Sequence, residues 1–257
     1  MTDLMYDLDG LDCRDEAVTK YRDLFTKFPD NLLSIGADPK TVKGEAHGWL
    51  TAILYLLPSD LSGVNLCPMA KIAKCSDPCL NTAGRGKMTS VKMSRLRKTL
   101  YYNQWYPDFE RQLIAELEKF ATTRPELQKA VRLNGLSDIR WERKVWDTMT
   151  HLYDLHGVQF YDYTKLANRH IKRPEVYDLT FSYSGVSDYR LYVEQAVRRG
   201  YRMSVVFNGS LPETFLGRTV VNGDENDLVF RHPNDVIVGL KAKGPARYDT
   251  SGFVVHV

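Results

Sequence analysis

Three of the chain's four cysteines, Cys67, Cys75 and Cys79, fall within thirteen residues in the run NLCPMAKIAKCSDPCLN. The fourth, Cys13, is remote from them, in a segment predicted to be helical. The spacing is C-x7-C-x3-C, with Pro68 and Pro78 stiffening the loop and Lys71 and Lys74 close by. Three clustered thiols cannot pair evenly, and a reducing compartment argues against disulfides. Three thiolates on one short loop repel each other, so a bound cation or cluster that stabilises their charge is the chemistry this pattern asks for. Zinc wants four ligands in a closed site, and the fourth would have to be His47, another histidine or Cys13. An iron–sulfur cluster also takes thiolates, and one held by three cysteines leaves an iron open to a non-protein ligand. Neither paired C-x2-C motifs nor the common ferredoxin spacing is present. The plain alternative is three thiols that bind nothing.

A second feature follows directly. From Leu80 to Pro107 there is no Asp or Glu, while Arg85, Lys87, Lys92, Arg95, Arg97 and Lys98 all fall there. Such a run reads as a solvated helix face or as an anion-binding surface, since clustered positive charge raises the local anion concentration. As an anion surface it would contact nucleic acid.

The elements that must position these residues alternate. Residues 13 to 27 read as a helix ended by Phe28-Pro29, and Leu32 to Ile35 and Trp49 to Leu56 as short strands. Val91 to Tyr102 is predicted helical, with Met93, Leu96 and Leu100 on one face. A further helix starts near Pro107-Asp108, where proline's missing N–H costs little, and Phe109, Leu113, Leu117 and Phe120 recur at helical spacing. Strands are predicted at 129–133, 158–163, 177–183, 202–207, 236–240 and 253–257. A helix over Glu142 to His156, capped by Gly157, turns Val145, Trp146, Met149, Leu152 and Tyr153 inward. Another over Asp188 to Arg199, capped by Gly200, buries Tyr189, Tyr192, Val193 and Val197.

This rhythm predicts an α/β fold: a mostly parallel sheet with helical crossovers, forming a full or partial barrel. It is read as one domain over 1–257, with an N-terminal extension to about residue 60 and a cysteine loop over about 64–82. In such folds chemistry sits at the carboxyl ends of the strands. Those ends read Asn134-Gly135-Leu136-Ser137-Asp138, Asp162-Tyr163-Thr164-Lys165, Ser182-Tyr183-Ser184-Gly185, Asn208-Gly209, and Lys241 with Lys243. The last turn of a P-loop is approximated at Gly84 to Thr89 but lacks its glycine spacing and Lys-Ser/Thr step. No H-E-x-x-H, G-x-S-x-G or G-x-G-x-x-G occurs.

Composition narrows the class. The chain has 257 residues, 43% hydrophobic and 26% charged, which excludes wholesale disorder. Its net charge of +3 is too balanced to imply nucleic acid from the total alone. The longest apolar stretch, Trp49 to Pro58, is half of the ~20 residues a membrane helix needs, so no membrane partner is expected. The N-terminus is acidic where a secretory signal would be basic. A soluble protein of the cytoplasm is the expectation.

The segment LYLLPSDLSGVNLCPMAKIAKCSDPCLNTAGRG resembles the gene product 88 family of bacteriophage proteins. The shared features are a Leu-Pro lead-in, a Cys-Pro start to a three-cysteine loop, a small-residue segment and an Arg/Lys-rich helix ending near Tyr102-Asn103. VRLNGLSDI, VQFYDYTK and LTFSYSG resemble that family's successive strands and turns, so the resemblance covers roughly Leu54 to Gly185. It implies a phage protein in the cytoplasm of an infected cell. Its layout is similar to that of radical S-adenosylmethionine enzymes, in which three cysteines hold a four-iron four-sulfur cluster and the open iron binds the amino acid moiety of S-adenosylmethionine. By that analogy Cys67, Cys75 and Cys79 are the ligands, and Asn134, Asp138, Asp162, Thr164, Lys165, Ser182 and Ser184 surround the cofactor. The spacing C-x3-C-x2-C and the Gly-Gly-Glu of those enzymes are absent, so cluster binding carries over better than radical chemistry. The expectation is an iron–sulfur enzyme acting on a small molecule or nucleotide. The alternative is a regulator with a structural cluster or zinc, binding nucleic acid or a host protein.

Overall fold

The computed structural model describes residues 28–36 and 39–257. The helix expected over 13–27 and Cys13 lie outside the described residues. One ten-stranded sheet carries the chain from its first described strand to its last. In chain order the strands are β1 (Leu33–Ile35), β2 (Trp49–Leu54), β3 (Gln128–Arg132), β4 (Gln159–Thr164), β5 (Tyr177–Ser182), β6 (Met203–Asn208), β7 (Thr214–Phe215), β8 (Arg218–Asn222), β9 (Ile237–Lys241) and β10 (Val255–His256). Neighbours run β1-β2-β3-β4-β5-β6-β9-β8-β7. Every pairing from β2 through β8 along that path is parallel, and only β1 with β2 and β7 with β8 are antiparallel. The mostly parallel α/β sheet is therefore as expected, and the path is open, because β1 and β7 do not pair. Residues read as an N-terminal extension supply β1 and β2 to this sheet. The short hairpin β7–β8 and a helix α1 (Pro39–Glu45) had no clear signal in the sequence.

Helices cover one face. They are α2 (Thr89–Gln104), α3 (Tyr106–Thr122), α4 (Trp146–His156) and α5 (Arg190–Arg198). α3 forms because Pro107 suits its first turn and its apolar residues keep a helical period. Leu113, Leu117 and Phe120 of α3 and Met149 and Leu152 of α4 bury themselves against Ala52, Leu54, Val131, Phe160 and Tyr177 of the sheet. α4 stops at Gly157, whose φ of +66° lets its N–H and that of Val158 return to Tyr153 and Leu152 carbonyls. Ahead of α5, residues 187–189 form a tighter turn that advances the apolar stripe. Ala196 is therefore buried and Val197, expected inside, is 43% exposed.

Side chains alternate along each strand, so Tyr161 and Ala130 point to the other face. There they meet Val238 of β9 together with Leu228 and Val229 from the β8–β9 connection. Residues of β3 and β9 share one cluster although three strands separate them in the sheet, so the sheet curls round the 227–230 segment. Arg132 and Tyr161 both reach Asp227 within that concavity, at 3.1 and 3.0 Å.

β6 is shared unequally on one edge. β5 pairs with its first two residues, and β10 takes Phe207 and Asn208 beyond the end of β5. The C-terminal segment thus enters the sheet at the carboxyl end of β5, tied there by the Gly185 N–H on the Gly252 carbonyl at 2.9 Å. No helix among the described residues is long and apolar enough to cross a membrane.

Candidate functional site

The cysteine loop lies across the carboxyl ends of β3, β4 and β5. Its attachment to β3 is double: the Asp138 N–H donates to the Leu66 carbonyl at 2.8 Å, and the Cys67 thiol donates to the Leu136 carbonyl at 3.2 Å. The Ser184 hydroxyl beyond β5 donates to the Ala73 carbonyl at 2.9 Å. Lys165, just past β4, is close enough for its charge and that of Cys75 to act on each other. Cys75 also packs on Ala242, Ala246, Phe253 and Val254 of the C-terminal segment. The local backbone is strained at two points. Ser59 and Lys74 have φ of +54° and +53°, and they are two of only four non-glycine residues with positive φ among those described. Such outliers persist where surrounding structure demands them. At Ser59 the twist aims its N–H at the Cys67 sulfur, 3.2 Å away.

All three thiols are free. Burial pushes Cys67 up to about 12 and Cys79 up to about 11, and it raises Cys75 as well. Each of Cys67 and Cys79 is raised further by the charge of its neighbouring cysteines. Backbone N–H groups of Ser59 and Asn81 pull the other way, toward the thiolate. Among the described residues no group of three His, Cys, Asp or Glu converges as the ligands of one ion would. Tetrahedral zinc with Zn–S near 2.3 Å would hold its sulfurs only ~3.8 Å apart.

The strand-end residues divide into two sets. Asn134 is 2% exposed and wholly engaged. Its amide donates to Ile139 O and Asp162 Oδ2, while its carbonyl oxygen accepts from Ser137, Trp141 and the Ile139 N–H. Asp162 lies on the helix-covered side of β4, fully buried, and accepts from Asn134 and from the Tyr177 hydroxyl at 2.6 Å. Thr164 donates to Asp138, and Ser184 is spent on the cysteine loop. These groups set the shape of the strand ends from within. Close enough for their charges to act on the cysteines are Asp138 and Lys165, and Ser182 is bonded to Lys165. Asp138 accepts from Thr164 and the Lys165 N–H, both at 2.8 Å, and burial raises its pKa against the pull of Arg169. The Lys165 ammonium donates to Ser182 Oγ at 3.1 Å and to the Ser182 and Tyr183 carbonyls at 3.2 and 3.4 Å, and stands 4.7 Å over the Phe253 ring.

The basic run is split. Lys98 is 8% exposed and donates to the Leu32 carbonyl at 2.7 Å, and burial lowers its pKa. Arg95 turns toward the cysteine loop, donating to Asn81 at 2.7 Å and lying over the Tyr55 ring. Arg85 and Lys87 are exposed, and Lys92 and Arg97 half-buried. Sequence reasoning had no mark for Ser59 or for Arg169, which joins the strand ends to the helices from an ordinary polar stretch, NRHIKRPE.

Asp162 makes one further expectation. Burial raises its pKa to about 7, against hydrogen bonds and an Arg132 charge that lower it. The native state then binds this proton more tightly than the unfolded chain, so stability falls as pH rises from about 4 to 7. In denaturant titrations at pH 5 and pH 7.5, Asp162→Asn should lose part of that decline. An unchanged pH dependence would contradict it.

A family model described as Gene product 88 matches residues 31–257. No curated protein and no solved structure matches the chain. The match spans the whole described sheet and the cysteine loop, and the chain belongs to the gene product 88 family of bacteriophage proteins.

Proposed function

We propose that this protein is an iron–sulfur protein in which Cys67, Cys75 and Cys79 hold a cluster, the four-iron form being favoured, over the mouth of an incomplete barrel. The observation that carries the reading is three half-buried cysteines gathered at the strand ends, with N–H groups directed at the sulfurs of Cys67 and Cys79. Hydrogen bonds to sulfur and limited solvent access are what tune such clusters. When bound, a cluster supplies one-electron chemistry.

The protein's part is to position and polarise. Ser59 and Asn81 direct donors at sulfur, and Arg95 and Lys165 supply positive charge beside Cys79 and Cys75. Three protein ligands leave room for one exchangeable ligand, and Lys165 with Ser182 would hold a carboxylate there. An amino acid moiety such as that of S-adenosylmethionine satisfies this, and the reading is of a redox or radical enzyme acting on a small molecule or nucleotide.

Protein purified without oxygen should be brown and carry about four irons with matching sulfide. Cys67→Ala, Cys75→Ala and Cys79→Ala should each lose most of that iron, and Cys13→Ala should keep it. A colourless preparation with one zinc would replace this reading with that of a regulator built on a structural metal. Iron lost from Cys13→Ala but kept in Cys75→Ala would overturn the ligand assignment.

A further inference from the structure

Beside the cysteine loop, two turns remote in sequence form one exposed surface. Residues 80–82 pack against residues 244–248. Around that contact Tyr248 is 85% exposed, Leu80 56% and Met88 54%. Exposed large apolar groups gathered in one place mark interaction sites more often than isolated ones do. Arg85 and Lys87 lie in the turn that follows residues 80–82 and Arg247 in the facing turn, all exposed. The acidic groups nearby are few: Asp77 in the cysteine loop, Asp224, paired with Lys243 at 2.7 Å, and Asp249, whose carboxylate accepts from the Ser251 hydroxyl and the Val254 N–H. No acid occurs between Leu80 and Pro107.

The base of this surface is also the wall of the site. Ala242, Ala246, Phe253 and Val254, beneath the 244–248 turn, are the residues on which Cys75 packs. The Asn208 side chain fixes the turn by donating to the Arg247 carbonyl at 3.1 Å. The aromatic ring and the cations therefore sit on a framed turn next to the mouth.

We infer that this surface binds single-stranded nucleic acid, presenting it to the cysteine loop. An open aromatic face flanked by cations and poor in carboxylates fits a partner with flat π-faces and a regular negative charge. Base stacking on Tyr248, with phosphates on Arg85, Lys87 and Arg247, uses each group in the way such sites do. A duplex hides its base faces and offers only its phosphates to this surface. The inference rests on the cluster reading for what the mouth does, but not for the binding itself, so the two are measured separately.

The test is fluorescence anisotropy of a labelled mixed-sequence oligodeoxynucleotide of about 12 nucleotides, within the site sizes of small single-strand binding domains. The full chain is used, and iron is assayed on the same samples. Tyr248→Ala should weaken binding about tenfold with the salt slope unchanged, and Tyr248→Phe should retain it. Lys87→Ala and Arg247→Ala should each reduce the slope of log affinity against log salt by about 0.7. The duplex of the same sequence should bind at least tenfold more weakly. Iron content should be the same in all of these variants. Absence of strand binding, equal binding of duplex, or indifference to Tyr248→Ala would overturn the inference. Intact strand binding by protein that holds no iron would sink the cluster reading and leave this one standing.

Discussion

Replacing Arg169 with methionine is expected to cost about 3–5 kcal/mol of folding stability. The side chain is fully buried and makes a two-point contact with Glu142, at 3.2 and 2.5 Å, and single contacts with Asp138 and the Tyr177 hydroxyl at 3.4 and 3.0 Å. Its backbone carbonyl also receives Arg199 and Tyr201. Methionine keeps much of the volume but takes the guanidinium away from two largely buried carboxylates, Glu142 and Asp138. Deleting one partner of a buried pair is far more damaging than never having had the pair. The pH dependence separates this cause from simple loss of packing. Without the guanidinium Asp138, which Arg169 holds down against the effect of burial, takes up its proton at higher pH in the folded protein, which relieves its cost. The deficit relative to wild type should therefore be larger at pH 8 than at pH 5. The double variant Arg169→Met, Glu142→Leu should recover part of it. A deficit below about 1 kcal/mol at pH 8, where a surface substitution would fall, would show that the network is dispensable.

Gly135→Ala is expected to be the most disruptive single-methyl change near the site. A Cβ there would stand 2.5 Å from Tyr55 Cδ1 and 2.8 Å from the Leu54 carbonyl oxygen. The Gly135 N–H already bonds that same carbonyl at 3.0 Å. The turn after β3 runs so close to the end of β2 that only hydrogen fits. Overpacking a core costs about 1–3 kcal/mol, and this clash involves backbone that cannot swing aside, so about 3 kcal/mol or more is expected. Because Leu136 follows directly and its carbonyl lies 3.2 Å from Cys67 Sγ, the shifted turn should move that cysteine and lower the iron content. Gly157→Ala is the control. That position has a positive φ but open space around it, so it should cost about 1 kcal/mol and leave the iron unchanged. Equal effects of the two substitutions on iron would remove the link between the turn and the cysteine loop.

Period and punctuation made much of the fold legible. The stripe Phe109, Leu113, Leu117 and Phe120 marked α3, and Gly157 marked the end of α4, because helical spacing and left-handed caps are local properties. The parallel order followed from strands separated by helices. Short elements escaped: β7, β8 and α1 are too brief for a period to declare itself. Whether the sheet closes was not legible either, since that depends on whether the distant edge strands β1 and β7 meet, and β10 slipping in beside β6 likewise depends on where β5 stops pairing.

The chemistry divides on the same line. Composition and spacing alone singled out Cys67, Cys75 and Cys79, because three soft ligands in one loop are unusual whatever surrounds them. They also singled out polar strand ends at 134–138, 162–165 and 182–185, because glycine and polar residues break strands locally. Which of those polar groups face the loop was decided only in three dimensions. Asn134 and Asp162 satisfy each other and their neighbours inside, while Lys165, bonded to Ser182 and the Tyr183 carbonyl, is held where its charge acts on Cys75 and Cys67. The same holds for the basic run, where one helix sends Lys98 to Leu32 and Arg95 to Tyr55, while Arg85 and Lys87 sit exposed in the turn ahead of it. A side chain's type is written in the sequence. Whether it is consumed by the protein or left for a partner depends on which hydrogen-bonding groups the fold brings within about 3 Å of it.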